Sequence, residues 1–99
     1  MQMRRARVEN RLWQVGDRLR AARAELAVVD EQLRAIAEEA DDARVRSLVA
    51  ESPLADREMR DTGRQVEAMR RSREATVAEL ARLERLQEEL IQRLAGGAD

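Results

Sequence analysis

The chain has 99 residues, 39% of them charged, yet 19 basic and 20 acidic side chains nearly cancel to a net charge of −1. Every basic residue is Arg, there is no His, Cys, Phe or Tyr, and Trp13 is the only aromatic. This inventory excludes tetrahedral zinc centres, thiol nucleophiles, imidazole bases and disulfide scaffolds, and no apolar run approaches the ~20 residues that span a bilayer. With 17 Ala and 13 Glu the composition is that of a helix former. The N-terminus lacks the apolar core of a signal peptide, so a cytoplasmic protein is expected. The Arg-only, Ala-rich usage points to a high-GC, bacterial genome.

The first predicted element is a helix over 4–50. Val8, Val15, Ala22, Val29, Ile36 and Ala43 recur every seven residues, interleaved with Leu12, Leu19, Leu26, Leu33, Ala40 and Ser47. A seam of this kind packs a long helix as a coiled coil. Beyond Ala43 the apolar residues are Val45, Leu48 and Val49, off that seam, and Glu38, Glu39, Asp41 and Asp42 crowd the same stretch. A kink, short break or rotation is therefore expected between 40 and 45, because acids disfavour a helix C-terminus.

The reversal is predicted at 51–52. Ser52 is a good N-cap and Pro53, the only proline, suits the first helical position. Asp56 and Glu58 near the first turn favour that end electrostatically. The second helix is predicted over 53–95, stopped by Gly96-Gly97, with a disordered tail at 96–99. Its seam is rougher: Met59, Val66, Arg73, Leu80, Gln87 and Leu94 alternate with Ala55, Thr62, Met69, Thr76, Leu83 and Leu90. Two helices of near-equal length joined by so short a connection run antiparallel. The expected fold is one all-α domain, a long antiparallel two-helix hairpin that pairs into a four-helix bundle. The alternative is a three-helix chain broken at 41–43 and 51–53. The fold places Arg73 opposite Glu31, with Asp30 nearby, as a register-fixing pair.

Charge is unevenly spread. Residues 1–24 carry a net +5, residues 25–58 a net −6, and the remainder balances. The open end of the hairpin is thus basic and the tip acidic. The candidate interaction residues are Arg4, Arg5, Arg7, Arg11, Trp13, Leu86 and Ile91. The arginines suit phosphate and Trp13 suits a membrane interface, with Glu84, Glu88 and Glu89 close enough to neutralise part of the cluster. Trp13, Val28, Leu86 and Ile91 exceed what one seam covers, which points to a second hairpin joined near the open end. No catalytic residue, metal-ligand set, cofactor or small-molecule substrate is predicted: the acidic pairs are neighbours on a helix and point apart, and no calcium-loop pattern is present.

The segment from Leu48 to Glu58, Leu-Val-Ala-Glu-Ser-Pro-Leu-Ala-Asp-Arg-Glu, resembles small coiled-coil, helical-hairpin proteins of high-GC actinobacteria. That resemblance implies the hairpin and no activity. Transcript-cleavage factors of the Gre type are similar in size and shape of hairpin, with an acidic tip that enters the polymerase secondary channel. Their tip carries acids beside Asn-x-Glu-Tyr, and Leu54-Ala-Asp-Arg-Glu58-Met only echoes it. Helical-hairpin anti-sigma factors that bind a cyclic dinucleotide place Arg three residues after a Ser; here Ala50, Ala55 and Ala75 follow Ser47, Ser52 and Ser72. No site is carried over from either family.

The expected function is a non-enzymatic protein–protein interaction, scaffold or regulatory module that self-associates as a homodimer and meets a further protein. The alternative is a binder of polyanions, such as nucleic acid, or of anionic membrane surfaces through the Arg-rich end. A third reading is an RNA-polymerase-associated regulator that uses the acidic tip.

Overall fold

The computed structural model describes residues 2–97. They form two helices, α1 (Gln2–Ala50) and α2 (Pro53–Ala95), joined by Glu51 and Ser52. The chain is an all-α helical hairpin, and no strand occurs among the described residues. No described helix is long and apolar enough to cross a membrane. Residues 98–99 of the expected tail lie outside the described residues; Gly96 and Gly97 form a turn that closes α2 through Gly96 N–H donating to the Gln92 carbonyl at 2.8 Å.

The reversal forms for the reasons that Ser52-Pro53 suggests. The Ser52 hydroxyl accepts the Ala55 amide at 3.1 Å, and the Ser52 carbonyl accepts the Asp56 amide at 3.1 Å, opening α2. The Ser47 hydroxyl donates to Asp56 across the turn. At Glu51 the backbone adopts φ 47°, a left-handed conformation that favours Gly.

The helices pack as two compact units. In the first, residues up to 25 of α1 lie with residues from 76 of α2. Its core is Val8, Val15, Leu19, Ala22, Leu80, Leu83 and Leu90, with Leu19, Leu83 and Leu90 the most completely covered. Arg18 bridges the helices to Glu79 at 3.0 Å. The second unit spans 26–75, and Val29, Ala43, Ala55 and Val66 are its buried apolar residues, joined by Ser47 and Thr62. Thr62 satisfies its hydroxyl by donating to the Glu58 and Met59 carbonyls, 2.9 and 3.1 Å away. Arg46 reaches Glu58 at 2.8 Å across the turn.

Every predicted seam position of both helices is buried or half-buried, including Arg73 and Gln87. The predicted short break and seam rotation at 40–45 do not occur: α1 is helical without interruption, so the three-helix alternative fails with the break. The reason is local. Ala43 is wholly buried and Ser47 nearly so, which carries the seam through in the same phase, while Val45, Leu48 and Val49 face outward. The four acids at 38–42 are exposed and lie two turns before the helix end, beyond the last turn where the helix dipole penalises them. A second correction concerns Arg73. Its Nε donates to Asp30, not Glu31, because Asp30 lies on the side of α1 next to the seam and Glu31 is exposed.

Candidate interaction surfaces

Three groups of side chains stand outside the seam without an evident structural task. The first is at the basic end. Arg4, Arg7 and Arg11 recur three and four residues apart on one face of α1, and Arg93 from the last turn of α2 joins them around a shallow depression floored by Val8. All four arginines are exposed. Among the described residues, none of the four has a carboxylate within 4.0 Å, whereas nine other arginines do. The expected neutralisation by Glu84, Glu88 and Glu89 is thus not made: those acids are exposed and form no ion pair with the cluster.

Arg5 does not belong to this group. Its Nε pairs with Glu9 at 3.1 Å, one turn along α1. Trp13 does not belong either. It follows Arg11 by two residues, which turns it about 160° away around the helix. Sequence reasoning joined Arg4 to Trp13 by proximity along the chain and missed Arg93, whose only signal was its place one turn before Gly96-Gly97.

The second group is Trp13 itself. It is 72% exposed, beside a notch lined by Glu9, Leu12, Gly16 and Arg20, all from α1. Gly16 opens that notch by having no side chain. Leu86 and Ile91, predicted to share a surface with Trp13, line no depression with it. They are five residues apart, so they lie about 140° apart around α2; Leu86 is half-buried on one flank of the seam and Ile91 exposed on the other. Leu90, between them, is spent in the seam.

The third group is at the turn. Val45 is about half exposed, and Leu48, Val49 and Leu54 are 70–80% exposed. Val45, Val49 and Leu54 line one side of a shallow depression with Ala50 and Ala55, rimmed by the Arg46–Glu58 pair. Residues 44–58 contain three Arg and three acids, so this region is neutral. The end of the hairpin is therefore apolar, and the acidic quartet of 38–42 stands behind it. Among the described residues no group of three or more acids is placed to hold a metal ion. In the same unit, Ala35 and Ala68 leave Ile36 and Met69 at the floor of a second open trough.

One carboxylate has a shifted acidity. Glu79 accepts hydrogen bonds from Arg82 Nη2 at 2.7 Å and Nε at 2.9 Å, and from Arg18 Nη2 at 3.0 Å. The Arg82 hydrogen bonds hold its carboxyl below the usual glutamate value; desolvation opposes them, and the nearby charges of Arg82 and Arg18 and the Arg18 hydrogen bond add to the lowering. The group is a structural clasp between α1 and α2, on the solvent side of the seam.

Comparison with known proteins gives no match: no family model fits the chain, and no curated protein or solved structure is significantly similar to it.

Proposed function

We propose that this chain is a non-enzymatic helical-hairpin interaction module that self-associates through the apolar patch at its turn. The observation that carries this reading is the exposure of Val45, Leu48, Val49 and Leu54, four large apolar side chains within ten residues, in a chain whose seam is already filled by other residues. Apolar surface left in water is a standing cost that association removes.

A second copy is the occupant that fits the charge. In a two-fold pairing the same patch meets itself. At the turn, three Arg and three acids bring no like-charge excess to such a contact. The open end fits less well, because its apolar side chains are scattered: Trp13 lies on the far side of α1 from the arginines, and Leu86 and Ile91 lie about 140° apart around α2. The expectation of a junction at the open end therefore gives way to one at the turn.

Sedimentation equilibrium across a concentration series tests this. The wild-type chain is expected to be at least a dimer at tens of micromolar, Val49→Glu a monomer with unchanged helicity, and Trp13→Glu still a dimer. A fully helical wild-type monomer would overturn the proposal. So would dissociation by Trp13→Glu together with a dimeric Val49→Glu.

A further inference from the structure

The geometry points to a second site, in the other unit: Arg4, Arg7, Arg11 and Arg93 form a receptor for a short oligophosphate, a ligand of two or three linked phosphoryl groups. Of the fifteen other arginines nine are tied to acids among the described residues, within a helix as in Arg64–Asp61 and Arg70–Glu67 or between helices as in Arg18–Glu79 and Arg46–Glu58, and six are not; what sets the cluster apart is that its four arginines line one depression. Around Val8 the protein gathers four guanidinium groups from two helices and, among the described residues, supplies no carboxylate within 4.0 Å. Placing like charges together costs free energy that an anion recovers. α1 also begins with no acid in its first turn, so nothing there offsets the arginines.

Guanidinium forks match phosphoryl oxygens two at a time. Arg4 to Arg11 is seven residues, roughly 10 Å of helix, so the four forks are spread too widely for one phosphate. Linked phosphates, with a charge of about −3 to −4 against four arginines, match both the spread and the charge. The depression is open to solvent, which suits a ligand held by its oxygens alone.

The basic surface is also short, and this selects a small ligand over a polymer. Two turns on from Arg11, the next arginine on that side, Arg18, is already held by Glu79. One turn before Arg93 stands the exposed Glu89. A long polyanion laid across the cluster would run into these acids. A lipid surface is disfavoured by Trp13: the only aromatic residue points away from the arginines, whereas interfacial anchoring needs both on one side.

Isothermal titration of the full chain at low salt with sodium tripolyphosphate, pyrophosphate and orthophosphate is the test. Saturable binding of one tripolyphosphate per chain is expected, weaker for pyrophosphate and weakest for orthophosphate, with affinity falling steeply as salt is added. Arg93→Gln, Arg11→Gln and Arg7→Gln should each weaken it about tenfold. Arg85→Gln, an exposed arginine outside the cluster and eight residues (roughly 12 Å of helix) before Arg93, should weaken it less than about threefold when the variants are compared at about 0.1 M salt, where the Debye length is about 10 Å. All four positions are exposed, and circular dichroism of each variant checks that helicity is kept. Absence of saturable binding, or an equal loss in Arg85→Gln, would overturn the proposal. Two further arms separate other sources of phosphate: phosphatidylserine–phosphatidylcholine vesicles and a single-stranded oligonucleotide. Tighter binding to either than to tripolyphosphate would also overturn it.

Discussion

Leu83 and Leu48 provide a matched pair of truncations, identical in chemistry and opposite in burial. Leu83 is 1% exposed in the seam, and Leu48 is 70% exposed near the turn. Leu83→Ala removes three carbons, worth about 2.4 kcal/mol at ~0.8 kcal/mol per buried carbon. The partly relaxed cavity raises that to roughly 3–4 kcal/mol. Leu48→Ala removes the same atoms from water, so in a lone chain it should cost under about 0.7 kcal/mol, partly offset by the better helix propensity of Ala. Urea titrations followed by helical ellipticity, run at low and high protein concentration, measure both. At low concentration only Leu83→Ala should be severe. At high concentration a self-associating turn makes Leu48→Ala costlier, because the partner buries the side chain. A Leu83→Ala loss below about 1 kcal/mol would refute the seam assignment. Equal losses for the two variants at the lowest concentration would refute the burial contrast.

Further expectations follow from single positions. Glu51→Gly relieves the left-handed backbone at φ 47° and should stabilise the chain by about 0.5–1 kcal/mol in the same titration, the smaller end reflecting the extra freedom of unfolded Gly. Gly63 lies within α2 with nothing inside 4 Å of an added Cβ, so Gly63→Ala should raise stability by up to about 1 kcal/mol. The lowered pKa of Glu79 means that its ionised form is favoured by folding. Its contribution is therefore present above the ordinary glutamate value and lost as pH falls through the folded value. The melting-temperature gap between wild type and Glu79→Gln should be positive at neutral pH and close by about pH 3 or below.

The seam was legible because seven-residue phase outweighs the chemistry of individual residues. Thr62, Arg73, Thr76 and Gln87 are poor core residues, yet each is buried or half-buried where the repeat places it. Thr62 manages this with its own helix carbonyls and Arg73 with Asp30. The turn was legible from Ser52-Pro53, whose capping bond is local and owes nothing to packing elsewhere. What misled was counting apolar residues. Val45, Leu48 and Val49 outnumber Ala43 and Ser47 as hydrophobes and suggested that the seam had rotated. Near the turn, however, the buried positions are held by small residues, Ala43, Ser47, Ala55 and Thr62, and large side chains go outside. A surface apolar patch and a displaced seam have the same signature in one sequence, and only three-dimensional burial separates them. The basic cluster failed to resolve for a related reason: its fourth member is Arg93, which lies 82 positions beyond Arg11.

The two proposed surfaces break the same rule in opposite ways, and that makes them separable. Most outward positions in this chain carry charges of both signs, so the surface is solvated and nearly neutral. At the turn the departure is in polarity, with large hydrophobes left where Glu or Arg would be soluble. At the basic end the departure is in balance, with four cations that have no acid within 4.0 Å among the described residues. One surface belongs to the unit of residues 26–75 and the other to the unit that holds both chain ends. Val49→Glu should therefore abolish self-association while leaving tripolyphosphate affinity within about twofold, since one added charge more than a Debye length away is largely screened. Arg93→Gln should weaken tripolyphosphate and leave the sedimentation profile unchanged. Sedimentation and titration on the same two variants give four readings. If Val49→Glu also lost tripolyphosphate by tenfold or more, the anion would be binding only to the assembled form, and the independence of the two surfaces would be refuted.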